Sequence, residues 1–223
     1  MFVYHHALTK QYRTVDKRYE AFLQHIRYWS PSQKLLDDIQ EDCVVCTAGE
    51  PSDSQILKVI LDHPDATVLT VSRQATTRVN SIVIPALFGD KTPLLTIQCD
   101  DDGEPINIYK NMRVLITQNR DKTNCVVNGQ QATIHSMQNA TIFLKLCNGN
   151  TVTCYPVTFF DANEKCRTCY PIMPCYALTM CKSEGQTLHS VILWFDSTKV
   201  GLGTGYMALS RIRRQKDLLI GTG

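Results

Sequence analysis

Two segments near the end of the chain carry the residue types that binding to phosphate requires. The first, ALTMCKSEGQTL at residues 177–188, places a lysine, hydroxyls and an amide around Gly185. Glycine lets a backbone approach a phosphate closely, and cationic and hydroxyl side chains bind phosphate oxygens. The second segment, YMALSRIRR, is a strand-like run that leads into Arg211. An arginine fork can hold a phosphate through two parallel hydrogen bonds. Taken together, the two segments are strong evidence for a phosphate-binding site.

Other polar candidates lie upstream. Arg13 stands at the start of a helical pattern, where it could reach across a cleft to a phosphate, but a solvated helix-start arginine is the more ordinary interpretation. Arg78 and Asn80 lie in a second helical pattern, RQATTRVNSIVIPALF, that follows the strand-like run ATVLTVS. Most such residues are ordinary caps or solvated positions. The apolar face predicted for the first helix consists of Tyr12, Val15, Tyr19, Phe22, Leu23 and Ile26.

Metal sites are weaker candidates. Cys43 with Cys46, and Cys166 with Cys169, have the spacing of zinc ligands, but two unrelated cysteine pairs are the simpler interpretation. The segment LLTIQCDDDG resembles a strand followed by a magnesium-binding acid, although a solvated acidic turn explains Asp100 to Asp102 as well. No glycine-rich string precedes a Lys-Ser or Lys-Thr pair, so the sequence has no phosphate-binding loop of the P-loop type. We therefore expect no bound metal.

Composition restricts the class of protein. The 223 residues include 43% hydrophobic and 20% charged residues, which is enough apolar material for a packed core. No apolar run approaches the length of a membrane span and no signal peptide is recognisable, so we expect a soluble, intracellular protein whose ten cysteines are thiols. The net charge of +2 means that a nucleic acid would have to meet a local basic patch.

The periodicity of the chain changes twice. Helical and buried-strand patterns occupy residues 1–90 and return from about residue 175 to 223. Between residues 91 and 174, five short runs of alternating hydrophobicity are separated by turns at Gly103, Gly129 and Gly149. The sequence therefore predicts an α/β domain with parallel strands, formed by residues 1–90 and 175–223, and a small antiparallel β-barrel inserted at 91–174.

The two terminal segments resemble the fifth and sixth motifs of superfamily-one helicases of the Pif/RecD-like group. In that family the motifs have the forms A-x-T-I-H-K-S-Q-G-Q-T-L and Y-V-A-L-S-R. The resemblance extends backwards in the order of the family: LTKQYRTVDKRYEAFLQHIR resembles the fourth motif, and VLTVSRQATTRVNSIVIPAL resembles the strand and helix after it. The segment NMRVLITQNRDKTNCVVNGQQATI resembles the entrance to the small barrel of these motors. The resemblance thus covers most of the chain.

The resemblance implies a RecA-like sheet of the P-loop NTPase type, namely the C-terminal half of a motor that lacks the P-loop half. Arg13 and Arg211 would reach the γ-phosphate of ATP, and Gln11 and Gln186 would contact the nucleotide or couple it to the partner domain. Single-stranded DNA would lie along a second set of residues. ATP and Mg²⁺ would bind only when a first RecA-like domain, on a longer or separate chain, completes the site. The residues implied at the DNA are Arg78, Asn80, Thr179, Lys182 and Ser183.

Departures from the motif leave the function open. Met180 and Cys181 replace an isoleucine and a histidine, and Glu184 brings a carboxylate to a face where phosphates would run. Three hypotheses remain: an ATP-dependent DNA helicase half that is inactive alone, a non-catalytic nucleic-acid-binding or regulatory module, and a truncated viral or transposon-derived fragment. The family type suggests roles in DNA replication, repair or recombination, in a nucleus or at a viral replication site.

Overall fold

A computed structural model describes residues 12–34, 37, 43–46, 51–98, 105–119, 126–160, 166–196, 200–201 and 203–221. The predictions for Gln11, Asp100 to Asp102 and the Gly103 turn concern residues outside this described part. The helices are α1 (Lys17–Tyr28), α2 (Asp53–Asp62), α3 (Arg73–Phe88) and α4 (Thr204–Leu209). The strands are β1 (Val44–Cys46), β2 (Ala66–Thr70), β3 (Leu95–Ile97), β4 (Ile106–Ile108), β5 (Arg113–Ile116), β6 (Gln131–Gln138), β7 (Thr141–Leu146), β8 (Thr151–Cys154), β9 (Val157–Phe160), β10 (Cys166–Cys169), β11 (Ile172–Pro174), β12 (Ala177–Thr179), β13 (Ser190–Trp194) and β14 (Leu218–Gly221).

A parallel sheet of order β1-β14-β13-β2-β12 forms the centre of the α/β part. Every residue of β2 is buried, and so are four of the five in β13, because helices and loops cover both faces of the sheet. Leu69 and Leu193 pack on one face with α1 and α4, while Val68 and Ile192 pack on the other face with α2 and α3. The sheet therefore separates two clusters of apolar side chains.

Antiparallel strands occupy the chain between Leu95 and Pro174, with parallel strands before and after them. They form a five-stranded sheet of order β11-β5-β6-β7-β8 and two hairpins, β3-β4 and β9-β10. Alternate residues of β7 and β8 are buried, as expected for a sheet with one face on a core. Together with the parallel sheet, these strands confirm the predicted α/β class with an antiparallel insert. We refer to the five-stranded sheet as the insert sheet.

The first helix begins later than its apolar pattern suggests. Asp16 caps α1 by accepting hydrogen bonds from the backbone N–H groups of Arg18 and Tyr19, so the helix starts at Lys17. Tyr12 and Val15, which we expected on the apolar face, are exposed. The prediction was correct for Tyr19, Phe22 and Leu23, which are buried, and for Ile26, which packs against the same cluster. Arg13 thus lies in the segment that leads to the helix and is not part of it.

The expectation of a strand in YMALSRIRR was wrong. Thr204–Leu209 is the helix α4, which begins after Gly203 in the left-handed conformation, and the last strand, β14, comes later. Six apolar or small residues carry no clear period, so a short helix and a buried strand cannot be distinguished from such a run. Arg211 therefore follows a helix and precedes the turn into β14.

The two cysteine pairs lie in different parts of the fold. Cys43 is buried in the cluster beside α1, whereas Cys166 and Cys169 belong to β10 of an insert hairpin. Cys166 is exposed and Cys169 is buried, because residues three apart on a strand point to opposite faces. Within the described residues there is no group of three or more histidine, cysteine or acidic side chains that could hold a metal ion. None of the described helices has the length and apolar character needed to cross a membrane.

Candidate nucleotide and nucleic-acid interface

The segment before α1 is joined to the end of α4 by hydrogen bonds between distant parts of the sequence. Tyr19 donates its hydroxyl to the carbonyl of Leu209 at 2.8 Å, and the backbone N–H of Val15 donates to the carbonyl of Arg213 at 3.1 Å. Arg13, in the segment before Val15, adds two more bonds. Its Nη1 donates to the carbonyl of Ser210 at 2.9 Å, and its Nε donates to Thr187 Oγ1 at 2.9 Å. The fold therefore brings Arg13 to the segment that follows α4, from the opposite end of the chain.

Arg211 is buried, with 8% of its surface exposed. Its Nε donates to the carbonyl of Met207 at 2.7 Å, and its Nη2 donates to Ser210 Oγ at 2.7 Å. Its Nη1 makes longer bonds to the carbonyls of Ser183 and Gln186, at 3.4 Å and 3.5 Å. Arg211 thus ties α4 to the crossover between β12 and β13.

The two arginines form a concentration of positive charge. Burial lowers the pKa of Arg211, and the nearby charge of Arg13 lowers it further, while Glu184 and Tyr206 raise it. Within the described residues, no carboxylate oxygen accepts a hydrogen bond from either guanidinium. A buried cation that neighbours another cation is costly unless an anion compensates it. The electrostatics of this pair therefore favour a negatively charged ligand.

Gln186 contacts the insert as well as the crossover. Its Nε2 donates to the carbonyl of Lys182 at 2.6 Å, whereas its Oε1 is buried and accepts no hydrogen bond in the described structure. A buried amide oxygen without a donor destabilises the fold, because it has lost its hydrogen bond to water. Oε1 is therefore suited to accept a hydrogen bond from a ligand or another domain. The side chain also packs against Gly129, where a Cβ would come within 3.4 Å of Gln186 Cγ. Gln186 thus links the Arg211 region to the insert.

The three residues predicted at the DNA backbone are close in space but differ in accessibility. Thr179 Oγ1 accepts a hydrogen bond from the backbone N–H of Lys182 at 3.2 Å, which supports the 3₁₀ turn Cys181–Ser183. Ser183 is fully buried, and its hydroxyl donates to the carbonyl of Met180 at 2.6 Å. Lys182 is exposed, with Nζ 3.3 Å from Met173 Sδ. Lys182 is therefore the member of this group placed to meet a phosphate directly.

A polar groove of about 450 Å³ runs between the 3₁₀ turn and the insert. Sequence reasoning missed its asparagines, because Asn128 and Gly129 were interpreted only as a turn. Gly129 has φ +86°, and the backbone N–H of Asn128 donates to Asn119 Oδ1 at 2.9 Å, so this bond ties the two asparagines together at the edge of the groove. The groove is lined by Leu115, Thr117, Asn119, Asn128, Gly129, Cys181, Lys182 and Glu184.

Arg78 and Asn80 lie on α3, on the other side of the parallel sheet from Arg211. Both amide atoms of Asn80 bond the backbone of Ala177, Oδ1 at 3.1 Å from its N–H and Nδ2 at 3.3 Å from its carbonyl. Arg78 pairs with Asp53 at 2.8 Å and donates to the carbonyl of Pro51 at 3.1 Å. The fold does not bring these residues to the groove, and Asn80 holds α3 against β12. DNA contact by Arg78 stays a prediction.

Comparisons of sequence identify no relative: no family model and no curated protein matches the chain. Comparisons of structure find similar folds in Pif1 helicases. Pif1 helicase from Bacteroides in complex with ADP-AlF3 and ssDNA superposes with a TM-score of 0.66 at 18% identity, covering 96% of this chain and 51% of that chain. Bacteroides Pif1 bound to ssDNA gives a TM-score of 0.65 at 16% identity over 95% and 50% of the two chains. Pif1 helicase from Candida albicans gives 0.66 at 18% identity over 95% and 55%.

These likenesses confirm the predicted fold, a RecA-like parallel sheet with an antiparallel insert as in Pif1 helicases. The chain spans about half the length of the helicases that it matches. At this level of identity the likeness extends to the fold alone, and the roles of the individual residues depend on the geometry described above.

Proposed function

We propose that the chain is one half of an ATP-dependent DNA helicase motor, which supplies Arg13 and Arg211 to a nucleotide held by a first RecA-like domain. The pairing of these two arginines, without a hydrogen-bonded carboxylate in the described structure, is the observation that carries the proposal. Phosphoryl transfer needs positive charge around the oxygens of the transferred group, and an arginine supplied from a second domain is worth about 10³ to 10⁵ in rate. The first domain, on the same chain or a separate one, supplies the phosphate loop and the ligands for Mg²⁺.

Arg13 and Arg211 would act by presenting guanidinium groups whose orientation is already fixed by hydrogen bonds within the chain. The Nε of Arg211 is fixed by Met207 and its Nη2 by Ser210, whereas the bonds from its Nη1 are long. The weakly held Nη1 is therefore the donor most easily redirected to a phosphate oxygen. ATP, when bound with Mg²⁺, supplies the phosphoryl group that is transferred to water.

Single-stranded DNA would lie in the groove beside Lys182, whose ammonium group would bind a backbone phosphate. Thr117, Asn119 and Asn128 add neutral donors, which suits contact with the sugar-phosphate backbone independent of base sequence. Glu184 also lines the groove and would repel a phosphate beside it. The proposal therefore places the strand at the Lys182 end of the groove.

The experiment that tests this proposal mixes the chain with a separately produced first RecA-like domain of a Pif1-like helicase, and measures ATPase and unwinding. We expect no ATPase from the chain alone, and activity in the mixture that falls about 10³-fold or more with Arg211→Ala. Arg214→Ala is the matched control, because Arg214 belongs to the same basic run but is exposed. If the mixture is inactive although the two proteins associate, the helicase proposal is wrong.

A non-catalytic nucleic-acid-binding module is the second candidate. The observation that favours it is that Arg211 is already engaged by four acceptors of its own chain, as a purely structural arginine would be. This candidate predicts binding to an oligothymidylate that survives Arg211→Ala and is lost with Lys182→Glu, together with an inactive mixture. The same preparations therefore distinguish the two candidates.

A further inference from the structure

The insert sheet has a second group of cations, which the proposed function does not use. Arg113 pairs with Thr133 across β5 and β6, and Thr133 pairs with Lys145 across β6 and β7. Residues directly opposite each other in an antiparallel sheet point to the same face. The three side chains therefore form a row, with a cation at each end and a hydroxyl in the middle.

This row borders a cleft of about 260 Å³. The two cations stand on strands separated by one intervening strand, so their backbones are about 10 Å apart. Their long side chains can converge from both ends on a ligand above Thr133. The cleft is lined by Arg113, Val114, Gln131, Ala132, Thr133, Lys145, Leu146, Cys147 and Cys175. We call it the Lys145 cleft.

The lining of the Lys145 cleft carries two positive charges, from Arg113 and Lys145. None of the described lining residues is an aspartate or a glutamate. Burial raises the pKa of Cys175 to about 12, so this thiol stays neutral and does not repel an anion. Arg113 is held in place, since its Nη2 donates to the carbonyl of Ala66 at 3.0 Å and its guanidinium lies 4.6 Å from the centre of the Tyr176 ring. One cation is thus preorganised, and the other is free to adjust.

The Lys145 cleft is separate from the groove that contains Lys182. The two lie at opposite ends of β5: Arg113 and Val114 line the cleft, whereas Leu115 and Thr117 line the groove. The bonds from Arg113 to Ala66 and from Gln131 to Thr67 place the cleft at the start of β2, whereas Lys182 follows the end of β12. A ligand in the cleft would therefore contact neither Lys182 nor Arg211.

We propose that the Lys145 cleft binds a phosphate group between Arg113 and Lys145, with the hydroxyl of Thr133 as a third donor. A guanidinium, an ammonium group and a hydroxyl are the donors that proteins use for phosphate oxygens. The volume lies below the 300–1,000 Å³ typical of sites that enclose a drug-sized ligand, which suits a single phosphate with part of its substituent. The phosphate belongs either to a nucleic-acid backbone or to a free phosphorylated molecule.

The test compares Lys145→Ala and Lys145→Glu with the wild-type chain in two titrations. In the first, a fluorescent oligothymidylate is titrated at several salt concentrations. We expect Lys145→Ala to weaken binding roughly two- to fivefold, and to reduce the slope of log affinity against log salt by about 0.7, the value for one lost phosphate contact on a single strand. In the second, ³¹P NMR follows the binding of inorganic phosphate, which Lys145→Glu should abolish.

The two titrations distinguish the source of the phosphate. A loss confined to the oligothymidylate assigns a backbone phosphate, and a loss confined to inorganic phosphate assigns a free ligand. A loss in both titrations, the expected result, shows that the cleft binds the phosphate group from either source. Lys58→Ala is the matched control, because Lys58 is an exposed lysine on α2 that lines neither cavity. If the Lys145 variants change neither titration, or change both no more than Lys58→Ala does, the inference is wrong.

Three further variants keep the result independent of folding and of the proposed function. Arg113→Lys retains the charge but loses the bond to Ala66, so thermal unfolding is measured beside binding. Thr133→Val removes only the third donor and should weaken binding less than Lys145→Glu. Lys182→Glu tests the groove alone, so failure at one site does not imply failure at the other.

Discussion

The Arg211 region and the outer face of the insert sheet both concentrate positive charge, but they hold it in opposite ways. Arg211 is 8% exposed and is bound by carbonyls from α4 and from the crossover after β12. Lys145 is exposed on a strand whose alternation alone places it on the outer face. The first cation is positioned by tertiary structure and the second by local register. Substitutions at Arg211 should therefore change stability and function together, whereas substitutions at Lys145 should change binding alone.

The same contrast applies to the apolar clusters beneath the two regions. One cluster, which includes Leu178 and Leu193, lies on the α1 and α4 face of the parallel sheet. The other extends from α2 and α3 into the insert, where Ile134, Ile142 and Leu144 are buried. Because the second cluster contains side chains of both the α/β part and the insert, the two parts share a core. This continuity predicts that the two parts unfold together.

The largest expected effects come from truncating one buried leucine in each apolar cluster. Leu144→Ala in the insert and Leu178→Ala beneath the crossover each remove a fully buried side chain. Each should lower the free energy of unfolding by about 2–5 kcal/mol. Urea denaturation followed by circular dichroism and by tryptophan fluorescence measures the change. We expect one coincident transition in both variants, and two separated transitions in Leu144→Ala would show that the insert is an independent unit.

The next prediction compares substitutions of the two cations, Arg211 and Lys145. Arg211→Met keeps an unbranched apolar chain but removes the guanidinium that donates to the carbonyls of Met207, Ser183 and Gln186. The first two carbonyls keep a second donor, from Ser210 Oγ and the backbone N–H of Gln186, whereas the carbonyl of Gln186 loses its described donor. The loss of these bonds should cost about 1–3 kcal/mol of stability. Lys145→Met, at an exposed position, should change stability by less than about 0.5 kcal/mol. Equal melting temperatures for the two variants would contradict the view that only Arg211 is fixed by tertiary contacts.

Two glycines of the insert offer a finer comparison. Gly129 and Gly149 have φ of +86° and +87°, so an alanine at either position meets the same left-handed strain, about 1–2 kcal/mol. At Gly149 a Cβ would meet nothing within 4 Å, whereas at Gly129 it would approach Gln186 Cγ to 3.4 Å. Because 3.4 Å is close to an ordinary van der Waals contact, Gly129→Ala and Gly149→Ala should differ in stability by no more than a few tenths of a kcal/mol. A difference in thermal unfolding measures the contact between the insert and the crossover.

The alternation that positions Lys145 is visible in the sequence, and so the insert strands could be predicted. The segment TIFLKL alternates buried and less buried residues in the structure, and each buried position is apolar, although Phe143 is an apolar residue at a less buried position. The helical pattern of Arg73 to Phe88 was equally clear, but Pro85 predicts an end or a kink there, whereas the observed α3 continues through Pro85 to Phe88. Both depend on local periodicity, which a single sequence displays.

The contacts that position Arg211 could not be predicted in this way. Its partners Ser183 and Gln186 are 28 and 25 residues away, and Arg13 is joined to Ser210 across 197 residues. Periodicity does not report such bonds. It also misassigned the segment before Arg211, because the run YMALS is too short to separate a helix from a strand. The family resemblance suggested Ser183 at the DNA, but burial of its hydroxyl against Met180 depends on a turn that no pattern revealed.

The smallest expected effect concerns Arg78, whose contact with DNA stays a prediction and whose side chain is bonded to Asp53 and Pro51. Arg78 and Asp53 form an ion pair in which the two side chains are 33% and 63% exposed. Asp53→Asn should therefore reduce stability by less than about 1 kcal/mol, and the loss should shrink at high salt. If Arg78 binds the strand, removal of the competing carboxylate should tighten binding to an oligothymidylate. Its engagement with Asp53 and Pro51 away from the groove predicts unchanged affinity, with Asp62→Asn as the control at the other end of α2.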